Sequence, residues 1–227
     1  MTAVASFGNF IYAGFDANGR IIRYTASMAS GVPTAMARSS QVFELDPAAG
    51  SITRLEVSRD GKFLLASTSG GKLFRLDGAD DTLTGKMSVV GSYSTAGAAV
   101  LDFTTNLAGD VVYAAADTEG LKVLAIQPGA LALSGGVAVP NGAKSVTTLS
   151  PGSPLLAVGN GSTVSMVDAG NPASPTLYAT SPALAGTAVG VTTLGDGQVF
   201  AAGGARQPHH QRCCQDKALH ATPSVRL

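Results

Sequence analysis

Five times along this chain a glycine in a turn is followed at once by a short apolar run. Gly8, Gly61, Gly109, Gly152 and Gly197 precede NFIYAG, KFLLAS, DVVYAA, SPLLAV and QVFAAG, at intervals of 53, 48, 43 and 45 residues. A unit of that length made of strand-sized pieces cannot bury its own faces, so successive copies have to stack on one another. The pattern predicts an all-β chain folded as a β-propeller whose blades are four-stranded antiparallel sheets. Helical solenoids are excluded, because no 3.6-residue apolar period is sustained anywhere.

The fullest copy, LEVSRDGKFLLASTSGGKLFRLD, occupies residues 55–77. Asp60 and Gly61 supply a tight turn: glycine tolerates positive φ, and aspartate bonds to its own nearby backbone. Phe63, Leu64, Leu65 and Ala66 form an almost unbroken apolar run, which suits a strand covered on both faces. Leu73, Phe74, Arg75 and Leu76 alternate more and suit a strand farther out.

Used as a ruler, this copy divides the chain into blades at about 1–48, 49–96, 97–142 and 143–186, with half a blade over 187–206. In the first blade, strands are expected near 2–6, 10–13, 20–24 and 41–45, with the small-residue stretch TASMASGVPTAMARSS as a long connector. The register there is ambiguous, since VFELDPAAGSIT also matches LFRLDGADDTLT thirty-one residues later. Blade two reads ITRLEVS, KFLLAST, KLFRLD and KMSVVGSY, and blade three AVLDFTT, DVVYAAA, LKVLAIQ and a short GVAVP. Blade four reads KSVTTLS, PLLAVGN, TVSMVDA and TLYATSP. The half blade has AVGVTTLG and QVFAAGG, and the counterpart of KLFRLD is missing. Residues 207–227 hold all three His and both Cys, show no alternation, and are expected to lie outside the propeller as a disordered tail. Four blades and a half do not close a ring, so the chain is expected to be a portion of a larger propeller, ended near Arg206 and prone to self-association.

Composition agrees with short strands and narrows the function. There are 28 glycines and no tryptophan, and only 13% of residues are charged. Net charge is +0, so the electrostatic footprint of a nucleic-acid or anionic-membrane binder is missing. No apolar run is long enough for a signal peptide or a membrane-spanning helix, and the compartment stays unassigned. Cys213 and Cys214 are neighbours in sequence, unsuited to a structural disulfide.

Few residues invite a chemical role. His209, His210, Cys213 and Cys214 are metal-capable, but HHQRCC lacks the gaps that let two side chains converge on zinc, so no metal site is expected. Asp16 and Asn18 before Gly19, and Asp77, Asp80 and Asp81, resemble the start of a calcium loop. Neither is followed by the distal bidentate glutamate, and both read as turns. Asp117, Glu119 and Gly120, and Asp196 with Gly197, read the same way. Within residues 1–206 there is neither histidine nor cysteine, which removes the commonest general base and the most reactive nucleophile. Glu56, Arg59 and Asp102 are the charges expected to line a central channel, solvated there rather than joined in a catalytic trio. No catalytic residue is assigned and no cofactor is expected.

The unit VSRDGKFLLAS followed by KLFRLDGADDTLTG resembles the repeat of the seven-bladed lactonase-type propellers. TVSMVDAGNPASPTLYATSP resembles the LVIVD and YVTN repeats of bacterial surface propellers. The lactonase resemblance implies hydrolysis of a sugar lactone by charged residues at the channel mouth, although no catalytic residue of that family maps onto a position here. The LVIVD and YVTN resemblance implies a binding or adhesive role without catalysis, often outside the cell. A noncatalytic scaffold that takes a protein or small-molecule ligand on its blade loops is the favoured reading, and a lactonase-like hydrolase is the alternative.

Overall fold

Alternate side chains of a β-strand point to opposite faces, and here the two faces of the second strands of the second, third and fourth sheets serve two different neighbours. Leu64 and Ala66 of strand β6 (Phe63–Thr68) join the apolar cluster of Tyr12, Ile21, Ile52 and Phe74, whereas Leu65, between them, joins that of Phe103, Val112 and Leu124. Val112 and Ala114 of β10 (Val111–Ala115) face back to that second cluster, while Tyr113 and Ala115 face forward to Val146, Leu156 and Val158. Ala157 of β14 (Leu155–Gly159) belongs to a fourth cluster with Leu149 and Met166. The unbroken apolar runs in the sequence are therefore strands packed between two sheets.

The computed structural model describes residues 1–15, 19–79, 87–184, 187–194 and 198–204. Its sheets follow chain order. The first holds β1 (Ala3–Phe7), β2 (Phe10–Gly14), β3 (Arg20–Ala29) and β4 (Val32–Glu44). The second holds β5 (Ile52–Val57), β6, β7 (Lys72–Asp77) and β8 (Ser88–Ser94). The third holds β9 (Asp102–Thr105), β10, β11 (Leu121–Gln127) and β12 (Ala130–Val137), and the fourth β13 (Ser145–Thr148), β14, β15 (Val164–Asp168) and β16 (Thr176–Thr180). A two-stranded sheet, β17 (Thr187–Thr193) and β18 (Val199–Gly204), follows. First strands neighbour one another along the series β1, β5, β9, β13, β17, and the described sheets do not close into a ring. Among the described residues no helix is long and apolar enough to cross a membrane.

Three expectations are corrected. The stretch TASMASGVPTAMARSS is not a connector: it forms the far halves of β3 and β4, a hairpin that runs on past the end of β2. Ser30 and Gly31 both have positive φ (52° and 78°), as a two-residue type I′ turn requires. Both faces of its outer part are exposed, Met28, Val32 and Met36 included, so no inward–outward alternation marks it in the sequence. The fourth strand of the third sheet is Ala130–Val137 rather than GVAVP, because Pro128 and Gly129 (φ 73°) make the hairpin turn earlier. In the fourth sheet the first turn is one residue longer: Leu149 N–H donates to Leu155 O, where Ser58 N–H donates to Phe63 O. The Pro151-Gly152 pair supplies the extra residue, so Leu155 and not Pro154 is the counterpart of Phe63.

Several expected turns lie wholly or partly outside the described residues, namely Asp16 and Asn18, Asp80 and Asp81, and Asp196 with Gly197. The tail with His209, His210, Cys213 and Cys214 lies outside them too.

Candidate functional site

Strand pairing fixes which inner-strand residues are equivalent. Val57 faces Leu64, Thr105 faces Val112 and Thr148 faces Leu156, which makes Arg54, Asp102 and Ser145 the same position in three successive sheets. A cation, an anion and a hydroxyl thus stand side by side at one level of the inner wall. Arg54 Nη1 lies 2.9 Å from Asp102 Oδ1, and Val146 N–H, on the next sheet along, donates to Asp102 Oδ2 at 2.9 Å. Phe103 N–H also donates to Oδ1, at 2.9 Å. Glu56 completes the group: Thr105 Oγ1 donates to its Oε1 at 2.7 Å, and Arg54 Nη2 is 3.5 Å from its Oε2.

One carboxylate therefore joins three sheets. Burial pushes the Asp102 carboxyl above its ordinary value, against the pull of the Arg54 charge and of the Val146 and Phe103 amides. Arg54 also lies over the Phe103 ring, 5.6 Å from its centroid. The expectation put Glu56 and Asp102 on first strands, solvated, and both are on first strands, but Asp102 is drawn out of water and held by Arg54 and two backbone amides. Arg59 is not on a first strand: it is exposed on the Ser58–Asp60 turn, and Arg54, five residues earlier, takes its role. The signal was available in the alternation of ITRLEVS, where Arg54 and Glu56 share a face.

Chemically the group is spent on itself. Asp102 accepts two hydrogen bonds at Oδ1, from Arg54 and Phe103 N–H, and one at Oδ2, from Val146 N–H, so most of its acceptor capacity is used within the wall. Ser145 has the only hydroxyl among Arg54, Asp102 and Ser145, and it is buried with no hydrogen-bond partner in the described structure. No described histidine stands near to activate it, the three histidines lying in the undescribed tail.

The remaining polar candidates fasten blade to blade. Asp117 pairs with Lys144 on the connector to the fourth sheet, and Glu119 accepts from Ala96 N–H on the connector from the second, at 2.6 Å. Asp46 pairs with Lys72 across the first and second sheets. Asp77 is held by Arg75 at 2.8 Å, and Arg75 reaches on to the Gln127 carbonyl at 2.7 Å.

On the opposite rim, Tyr12 closes the groove between the first two sheets by donating its hydroxyl to the Ala79 carbonyl. Tyr12→Phe strands that buried carbonyl and is expected to lower stability by about 1–2 kcal/mol, read from the urea midpoint at unchanged slope.

No protein-family model matches the sequence, and no curated protein matches it. Solved structures do match. Sqt1 from Chaetomium thermophilum, bound to the N-terminus of ribosomal protein L10, superposes with a TM-score of 0.67 at 17% identity over 86% of this chain and 53% of its own. A chain of the mitotic checkpoint complex gives 0.68 at 15%, over 88% and 57%. A putative 6-phosphogluconolactonase from Bacteroides uniformis gives 0.70 at 16%, over 88% and 62%. The fold is that of a β-propeller. This chain spans between about half and three-fifths of the length of these propellers, and at such identities the likeness concerns fold alone.

Proposed function

We propose that this propeller is a noncatalytic scaffold that binds a protein partner through the loops at the rims of its blades. The observation that carries this reading is the inner wall, where Arg54, Glu56 and Asp102 are consumed in linking sheets two, three and four. What remains for contact is the set of short turns at the blade rims, the usual place for recognition on a rigid scaffold. Among the structural neighbours, Sqt1 was solved with a segment of another protein bound, which supports the reading at the level of fold.

Hydrolysis of a sugar lactone is the second reading, favoured by the likeness to the putative 6-phosphogluconolactonases. A panel of sugar lactones, with 6-phosphogluconolactone among them, separates the two. The expected result is no turnover above buffer. Hydrolysis that disappears in Arg54→Ala, Glu56→Ala, Arg59→Ala or Asp102→Asn would overturn the scaffold reading.

A further inference from the structure

Tyr12 and Tyr113 hold the same position, the third residue of the second strand, in the first and third sheets. Around Tyr12 the next sheet supplies a turn after β7 that lays Ala79 into the groove. Gly78 N–H and Ala79 N–H both donate to Lys62 O, at 3.0 and 3.2 Å, and the Ala79 carbonyl accepts from the Tyr12 hydroxyl. Ala79 and Met87 are buried in the same cluster as Tyr12.

Around Tyr113 the next sheet starts its turn in the same manner and then departs. Ala169 N–H donates to Pro154 O at 3.0 Å, as Gly78 does to Lys62. The following amide, Gly170 N–H, turns instead to Asp168 Oδ1 at 2.8 Å, and Asn171 accepts from Ala173 N–H and Ser174 N–H. The chain swings toward β12, where the carbonyls of Pro172 and Ala173 sit 2.5 and 2.7 Å from the place a Cβ on Gly135 would occupy. A groove of about 480 Å³ is left, walled by Leu107, Ala108, Val111, Pro154 and Pro172. Tyr113 lies in that wall at 4% exposure, and its hydroxyl makes no hydrogen bond among the described residues. The phenol is a donor at neutral pH at its ordinary value already, and burial and then the Asp110 charge push its pKa further up.

We propose that this groove binds an uncharged, extended peptide segment of a partner protein, with a small apolar side chain against Leu107 and Pro154 and a main-chain carbonyl accepting the Tyr113 hydroxyl. The inference rests on the scaffold reading and gives it a site. The chain itself shows what such a groove takes, since its own Ala79, with carbonyl and methyl group, fills the equivalent place beside Tyr12. Charge selects in the same direction: the nearby titratable groups are the carboxylates of Asp110 and Asp168, held by Asn106 Nδ2 and Gly170 N–H, so an acidic segment is repelled.

The test is an amide-shift NMR titration of the full chain with two capped tetrapeptides, acetyl-Gly-Ala-Ala-Met-amide and acetyl-Asp-Gly-Ala-Asp-amide, and with gluconolactone. Saturable shifts at Leu107, Val111 and Tyr113 are expected with the first peptide alone. Tyr113→Phe should weaken that binding about three- to tenfold with no loss of thermal midpoint, and Leu107→Asp, at an exposed position, should abolish it. The proposal fails if no saturable shift appears at these residues or if both variants bind as the parent does. It fails equally if the acidic peptide or the lactone binds the groove as well as the first peptide. Peptide shifts confined to other rim loops would also refute the groove while leaving the scaffold reading intact. Lactone turnover dependent on Asp102 sinks the scaffold reading itself.

Discussion

Phe103→Ala should remove about 3–5 kcal/mol of stability, the largest loss expected from any single substitution considered for this chain. Phe103 is fully buried and packs with Leu65 and Leu73 of the second sheet and Val112, Leu124 and Leu131 of the third. Truncation leaves a cavity between two sheets whose backbones are held apart by their own ladders, so the site cannot collapse to fill it. The Arg54 guanidinium would lose its ring as well. Since whole domains are stable by only about 5–15 kcal/mol, the variant is expected to lose a large share of its stability. Urea denaturation followed by circular dichroism reads this directly. A midpoint within error of the parent would show that the second and third sheets are not packed as described.

Asp102→Ala comes next, at about 2–3 kcal/mol near neutral pH. The loss falls below that of a fully buried pair because the Arg54 side chain is 42% exposed and keeps some of its water. Val146 N–H loses its acceptor. The pH dependence carries an unusual sign. The folded pKa of Asp102 is raised, so as pH climbs past 3.8 the unfolded chain ionises first while the folded protein still holds the proton. The stability owed to this side chain is therefore greatest below pH 3.8 and declines as pH rises through the folded pKa. The gap between parent and Asp102→Ala should be wider in acid than at neutrality. A gap that widens toward neutral pH instead would mean that the Arg54 attraction outweighs burial.

The repeat was legible in the sequence because its signal is local. A glycine with positive φ, a turn-forming Asp, Asn or Ser and an apolar run of strand length are each set by neighbouring residues, and the fullest copy at 55–77 folds strand for strand as expected. What failed was also local. The outer hairpin of β3 and β4 has both faces in solvent, so the burial that produces alternation is missing. Pro151-Gly152 and Pro128-Gly129 announce turns without saying how many residues the loop holds, and one residue is enough to shift a strand register.

The inner-wall site was half legible. Glu56 and Asp102 were found from their place on first strands, but Arg59 was preferred to Arg54, although a residue in a tight turn points to the rim and only the strand residue can meet Asp102. The groove beside Tyr113 was beyond the sequence altogether. It exists because one amide, Gly170, prefers the Asp168 side chain to a backbone carbonyl, a choice between two acceptors that composition does not reveal.

Among the described residues, each apolar cluster joins a sheet to its chain neighbour, and so does each polar fastening named above apart from Asp102, which spans three sheets. A structure coupled in that way behaves as a linear array whose members lend stability only to the next in line. Amide exchange should then be slowest in β6, β10 and β14, which have a neighbour on either side, and should quicken toward β1 and β17. Asp102 is placed to make sheets two, three and four open together.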